Sequence, residues 1–130
     1  MKIIMLSGCP KSGKTTTLGK VYDFLEKVTG TQIIRPKTPL GGNPKDFECV
    51  LCCQGKRVAM FTMGDYVYEI VHAMSYYDGF GADVLIVANS NKVHPKYRIK
   101  RYPGSVEIMK TMPLSDASNT ADMQAIIANI

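Results

Sequence analysis

No stretch of this 130-residue chain approaches the roughly 18 consecutive apolar residues of a membrane helix, so no segment is expected to span a bilayer. No secretory leader is expected either. Leu6-Ser7-Gly8-Cys9 has the look of a lipoprotein cleavage box, but only Ile3 to Leu6 separate it from Lys2. A signal core needs roughly 7–15 apolar residues. The expectation is a soluble, cytoplasmic protein. Cysteine is present, but not in a metal-binding arrangement: Cys49-x-x-Cys52 has the spacing of half a zinc site, and Cys9, Cys53, His72 and His94 do not supply the other half. If FECVLCC is a strand, Cys49 and Cys52 point to opposite faces and act as small hydrophobes of a reduced protein. Acidic residues are the minority, 11 against 16 Lys and Arg, for a net charge of +5. That balance suits an anionic ligand. The basic residues form neither an aromatic-interleaved track nor a recognition helix, so small-molecule phosphate ranks above nucleic acid.

What the chain does have is Gly8-Cys9-Pro10-Lys11-Ser12-Gly13-Lys14-Thr15, a full match to G-x-x-x-x-G-K-[ST]. A phosphate chain needs several backbone N–H groups aimed at it together, and glycine lets a loop bend that way without a Cβ clash. Gly8 and Gly13 supply the tight points. Lys14 is placed to reach β- and γ-phosphates, Thr15 to ligate Mg²⁺, and Thr16 to face an α-phosphate from the first helical turn. The flanks suit such a loop. KIIMLS reads as a buried parallel strand, and Leu18, Val21, Tyr22, Leu25 and Val28 recur at helical spacing up to a stop at Gly30.

With 45% hydrophobic and 21% charged residues and no internal repeat, residues 1–130 form a single domain. After the first helix, TQIIRP suggests a short strand and KTPLGGNPKD an irregular loop. Gly55-Lys56 between apolar runs predicts an antiparallel hairpin of residues 47–53 and 57–62. Val67, Ile70, Val71, Met74 and Tyr77 mark a second helix, opened by Gly64-Asp65 and closed near Gly79. ADVLIVANS is the clearest buried strand, VEIMKTM another, and Asn119 with Asp122 resembles a cap for a last helix whose apolar face is Met123, Ile126, Ile127 and Ile130. The order β-α-β-β-β-α-β-β-α predicts an α/β three-layer sandwich: a mostly parallel central sheet with an antiparallel edge hairpin. Ligands in such sheets sit at the carboxyl ends of the strands, so the segments after residues 6, 62, 88 and 110 should surround the site.

Phosphoryl-transfer chemistry at this loop needs a carboxylate at the end of a neighbouring strand, to hold Mg²⁺ through water or orient the attacking group. Asp65, just beyond RVAMFT, is the candidate, with helix capping as its competing role; Asp83 precedes its strand and falls at the wrong end. The run Lys92, His94, Lys96, Arg98, Lys100 and Arg101 offers cations to close over transferring phosphates. Arg98 and Arg101 suit this best, because a guanidinium holds two phosphate oxygens at once. Arg35 and Lys37 form a second cationic pair that could hold an acceptor.

With its loop, strand and helix, the chain resembles the P-loop NTPase superfamily over residues 3–29, and its nearest branch looks like the nucleoside and nucleotide kinases. IIRPKTPLGGNPKDFECVL is similar to the acceptor-binding stretch of guanylate kinases, and residues 92–101 sit where that branch carries its lid. The resemblance implies a Mg²⁺-dependent NTP-binding protein, with ATP as the nucleotide and a nucleoside or small phosphorylated acceptor. Lys14, Asp65, Arg98 and Arg101 would be its catalytic residues. A second reading is a hydrolase, switch or nucleotide-binding regulatory module: Asn-Ser-Asn-Lys-Val-His, 89–94, is similar to the base-reading motif of small GTPases. There His94 replaces the aspartate that would pair with guanine, and Phe61 stands where a D-x-x-G motif needs its aspartate, so GTP specificity is not expected.

Overall fold

The computed structural model describes residues 1–41, 44–90 and 99–130. Among these, six strands and three helices follow the expected order: β1 (Lys2–Gly8), α1 (Lys14–Lys27), β2 (Gln32–Pro39), β3 (Phe47–Cys53), β4 (Lys56–Phe61), α2 (Val67–Phe80), β5 (Val84–Ser90), β6 (Val106–Met109) and α3 (Asp116–Ala128). The strands form one mixed sheet, β2-β3-β4-β5-β1-β6, in which β4, β5, β1 and β6 run parallel and β2 and β3 pair antiparallel. No helix among the described residues is long and apolar enough to cross a membrane.

Alternation along the strands divides the core in two. On one face Ile4, Leu6, Cys49, Leu51, Met60 and Ile86 pack under α1 (Leu18, Val21, Tyr22, Leu25) and α3 (Ile126). On the other face Ile3, Met5, Val50, Ala59, Leu85 and Val87 pack under α2 (Ile70, Ala73, Met74, Tyr77). Helices therefore cover both faces of an α/β sheet. The central strands read as continuous apolar runs because neither face meets water. Cys49 and Cys53 face the first core and Cys52 does not, as the strand reading requires, and burial raises the Cys49 thiol pKa to about 12.

Several local expectations need correction. Lys37–Pro39 belong to β2 and not to a loop, because edge-strand pairing with β3 tolerates a proline; Gly42 and Asn43 lie outside the described residues. The second helix closes near Gly79 as expected, its C-cap being Gly81 in the left-handed conformation. The cap of α3 is Ser115, whose hydroxyl accepts the Ser118 N–H while Ser118 Oγ accepts the Ser115 N–H, each at 3.0 Å. Asn119 and Asp122 lie inside that helix, both buried, because their polar ends have partners in neighbouring elements.

Candidate functional site

The G-x-x-x-x-G-K-[ST] sequence lies between the end of β1 and the start of α1, at the carboxyl ends of the parallel strands. Two residues there adopt left-handed conformations, Lys11 (φ 61°) and Gly13 (φ 88°). At Gly13 a Cβ would fall 2.5 Å from Leu114 Cδ1 and 2.9 Å from Asn119 Oδ1; at Gly8 it would fall 2.8 Å from Ser12 Oγ. Both glycines are therefore needed, Gly13 for its conformation and the closeness of its neighbours, Gly8 for space alone.

Helix α1 starts without a capping side chain, unlike α3 with its reciprocal serines. Its first-turn N–H groups therefore face outward with the positive end of the helix dipole, as a site for an anion requires. Lys14 is buried and donates to the carbonyl oxygens of Gly8 (3.1 Å) and Cys9 (2.7 Å). Burial holds its pKa below the ordinary lysine value, while Asp65, Cys9 and Asp46 act in the opposite direction. Burial disfavours the charge on this ammonium, and an anion beside it would favour that charge.

A cavity of about 640 Å³ opens over the loop, bordered by Lys11, Gly13, Lys14, Thr15, Thr16 and, across from them, Asp46, Gly64 and Asp65. That size lies within the roughly 300–1,000 Å³ of small-molecule sites. Gly64 makes this wall: its carbonyl accepts the Ser90 N–H at 2.9 Å, and a Cβ there would meet the Ala88 carbonyl at 2.7 Å. The chain after β4 is thus pressed onto the end of β5, and Asp65, exposed, is turned to the cavity. Asp65 does not cap α2, whose N-cap is Tyr66 with no side-chain bond. Strand β4 is also not beside β1, since β5 lies between them.

Asp46 is the residue that sequence reasoning misses. It is 6% exposed, and its Oδ1 accepts hydrogen bonds from Thr15 Oγ1 (3.1 Å) and Thr62 Oγ1 (3.0 Å). Burial raises its pKa; the bonds from Thr62 and Thr15 oppose that rise, and the charge of Asp65 adds to it. The signal was in the predicted hairpin. An antiparallel β3 must start where the parallel β4 ends, so the residue before Phe47 lands at the site edge.

A second cavity, about 440 Å³, adjoins the first and shares Thr15, Thr16, Lys45 and Asp46 with it. Lys37 lines it, with its ammonium 4.5 Å from the Phe47 ring centre and 5.2 Å from that of Tyr22. Arg35 does not join Lys37: its guanidinium lies 4.3 Å from the Phe80 ring centre and bonds the Tyr76 hydroxyl, on the α2 side. The register of β2 shifts between Arg35 and Thr38, and such irregularities re-aim side chains that strict alternation would place together.

Of the expected cations, Arg101 is exposed and does not line the phosphate cavity; Lys92, His94, Lys96 and Arg98 lie outside the described residues. Asp83 accepts the Arg57 N–H at 2.8 Å at the far end of the sheet, as expected. Behind the loop, Lys110 and Asp122 form a buried ion pair at 2.9 Å, and the Lys110 N–H donates to the Ser7 carbonyl at 2.7 Å.

The donors that border the cavity are the Thr15 hydroxyl and the carboxylates of Asp46 and Asp65. No group of three or more His, Cys, Asp or Glu side chains occurs among the described residues. The Thr15 hydroxyl and two carboxylates match a cation that draws its other ligands from phosphate and water. In comparisons with known proteins the chain matches no family model, no curated protein and no solved structure.

Proposed function

We propose that this chain is a P-loop nucleotide-binding protein that takes up a nucleoside triphosphate, with ATP the expected one, and transfers its terminal phosphoryl group. The carrying observation is a single cavity that brings together the buried Lys14, the uncapped start of α1, the Thr15 hydroxyl and two aspartates. Loop amides from Gly8 to Thr16 and the Lys14 ammonium would hold the phosphate chain. Thr15 is the residue that would hold Mg²⁺, which neutralises charge on the phosphates when bound. On phosphate binding Lys14 exchanges its carbonyl partners for phosphate oxygens, a gain of charge-assisted bonds. Asp65 orders the attacking hydroxyl or water. Of the two arginines expected over the transferring group, Arg101 does not line this cavity, and Arg98 lies outside the described residues.

The adjoining cavity favours a kinase over a simple hydrolase. It offers an acceptor a place beside Thr15 and Asp46, with a cation at Lys37 and apolar walls from Pro39 and Phe47. The test is a calorimetric titration with Mg·ATP and Mg·GTP, followed by product analysis with and without nucleosides and nucleoside monophosphates. Acceptor-dependent ADP formation is the expected result. Tight binding without turnover would move the protein to the switch or binding-module class, and no binding of either nucleotide would overturn the reading.

A further inference from the structure

Thr62 and Asp46 show how the hydroxyl of Thr15 is aimed. The Phe47 N–H donates to Thr62 Oγ1 at 2.9 Å, so the single hydroxyl hydrogen of Thr62 is left to point at Asp46 Oδ1. Asp46 is fixed through its backbone as well, its carbonyl accepting the Leu40 N–H at 3.2 Å. Thr15 donates its only hydroxyl hydrogen to the same carboxylate oxygen. A hydroxyl so committed can offer only lone pairs to the cavity. It can ligate a cation there, but it cannot donate to a phosphate oxygen or to water. Asp65 borders the same cavity without a hydrogen bond to either threonine among the described residues.

We propose that Asp46 is the positioning carboxylate of this site: through its hydrogen bond it fixes the Thr15 hydroxyl as a metal ligand, and Asp65 is left to order the acceptor or water. The strand expected to supply this group, β4, carries Thr62 at its end, and the carboxylate comes from the start of the antiparallel neighbour β3. Thr62 serves as its brace. Carboxylates that orient a metal ligand from behind typically affect metal affinity by roughly 10–100-fold. The inference rests on the nucleotide reading above.

Its test is the affinity of a fluorescent ATP analogue measured with Mg²⁺ and with chelator, for the wild type, Asp46→Leu, Asp46→Ala, Thr15→Val, Asp65→Asn and the Asp46→Ala/Thr15→Val double variant. The wild type should bind more tightly with Mg²⁺. Both Asp46 variants should lose roughly tenfold or more of that Mg²⁺-dependent gain while their affinity in chelator stays within about twofold of wild type. Because Asp46 acts through Thr15, the double variant should be no worse than Thr15→Val alone. A carboxylate that merely stabilised the fold would weaken both conditions equally and would add its loss to that of Thr15→Val. Should Asp46→Ala not fold, Asp46→Leu, which keeps the side-chain volume but offers no acceptor, carries the comparison, with thermal melting as the check. An unchanged Mg²⁺-dependent gain in the Asp46 variants, or its loss in Asp65→Asn alone, overturns the inference and leaves the nucleotide reading standing. A wild type that binds no nucleotide in either condition overturns both.

Discussion

The Nζ of Lys14 lies 2.7 Å from the carbonyl oxygen of Cys9, so this lysine is held by the loop that precedes its own helix. Replacement by alanine leaves the loop backbone in place and removes its mobile positive charge. Lys14→Ala should therefore weaken ATP binding by roughly 10–100-fold, the worth of a charge-assisted hydrogen bond, with little change in melting temperature. Calorimetric titration is the check. Unchanged affinity would refute the assignment of the site.

Gly13 tests the loop from its conformational side. In Gly13→Ala the new methyl group meets a positive φ of 88° and atoms of Leu114 and Asn119 closer than 3 Å. The left-handed backbone alone costs about 1–2 kcal/mol for a residue with a Cβ, and the steric conflict adds to it. Urea unfolding should show a loss of about 2 kcal/mol or more, together with weaker nucleotide binding. Wild-type stability in this variant would mean that the loop is laid out differently.

Asp65 carries the opposite expectation. It is exposed and makes no cap, so Asp65→Asn should stay within about 0.5 kcal/mol of wild-type stability while turnover falls more than binding does. Steady-state rates and a thermal melt on the same preparation separate the two. A lowered melting temperature with full turnover would restore the capping role.

The buried pair Lys110–Asp122 predicts an acid response. Burial alone would raise the Asp122 pKa, but bonds from Thr111 and Lys110 outweigh it and hold it below the usual aspartate value. A carboxyl depressed by folding contributes stability above its unfolded pKa of about 3.9 and loses it as pH falls through the folded value. Wild-type stability should accordingly drop below about pH 4. Asp122→Asn should lack that component and lose about 3–5 kcal/mol at neutral pH, because Lys110 is left buried without its counter-charge. Denaturant unfolding across the pH range decides it.

Much of the element order was legible because it depends on local periodicity. Leu18, Val21, Tyr22 and Leu25 on α1, and Ile126 on α3, all reach the core face that helical spacing assigned to them. The hairpin of β3 and β4 was legible in its apolar flanks and Gly55, but its two-residue turn is Gln54-Gly55, both at positive φ, and not Gly55-Lys56, since Lys56 already pairs with Cys53 as the first residue of β4. Residues where long-range pairing replaces local signals were read differently. Asn119 looked like a cap because nothing near it in the chain gives notice that Thr17, on another helix, bonds its side chain at 3.2 Å. Lys110 reads as a solvated strand residue until Asp122 is placed beside it.

The glycines of the loop at residues 8–15, the strand and helix on either side of it, and the alternation that buries both faces of the sheet are all written in the order of residues. Steric rules and hydrophobic periods acting over a few positions are enough to fix them. Folding in three dimensions set the order of the strands, with β5 between β1 and β4, and the meeting of Thr15, Thr62 and Asp46 at one carboxylate oxygen. Asp46 is 31 residues from Thr15 in the chain. No local rule reaches that far; only the antiparallel pairing of β3 with β4 brings the two together.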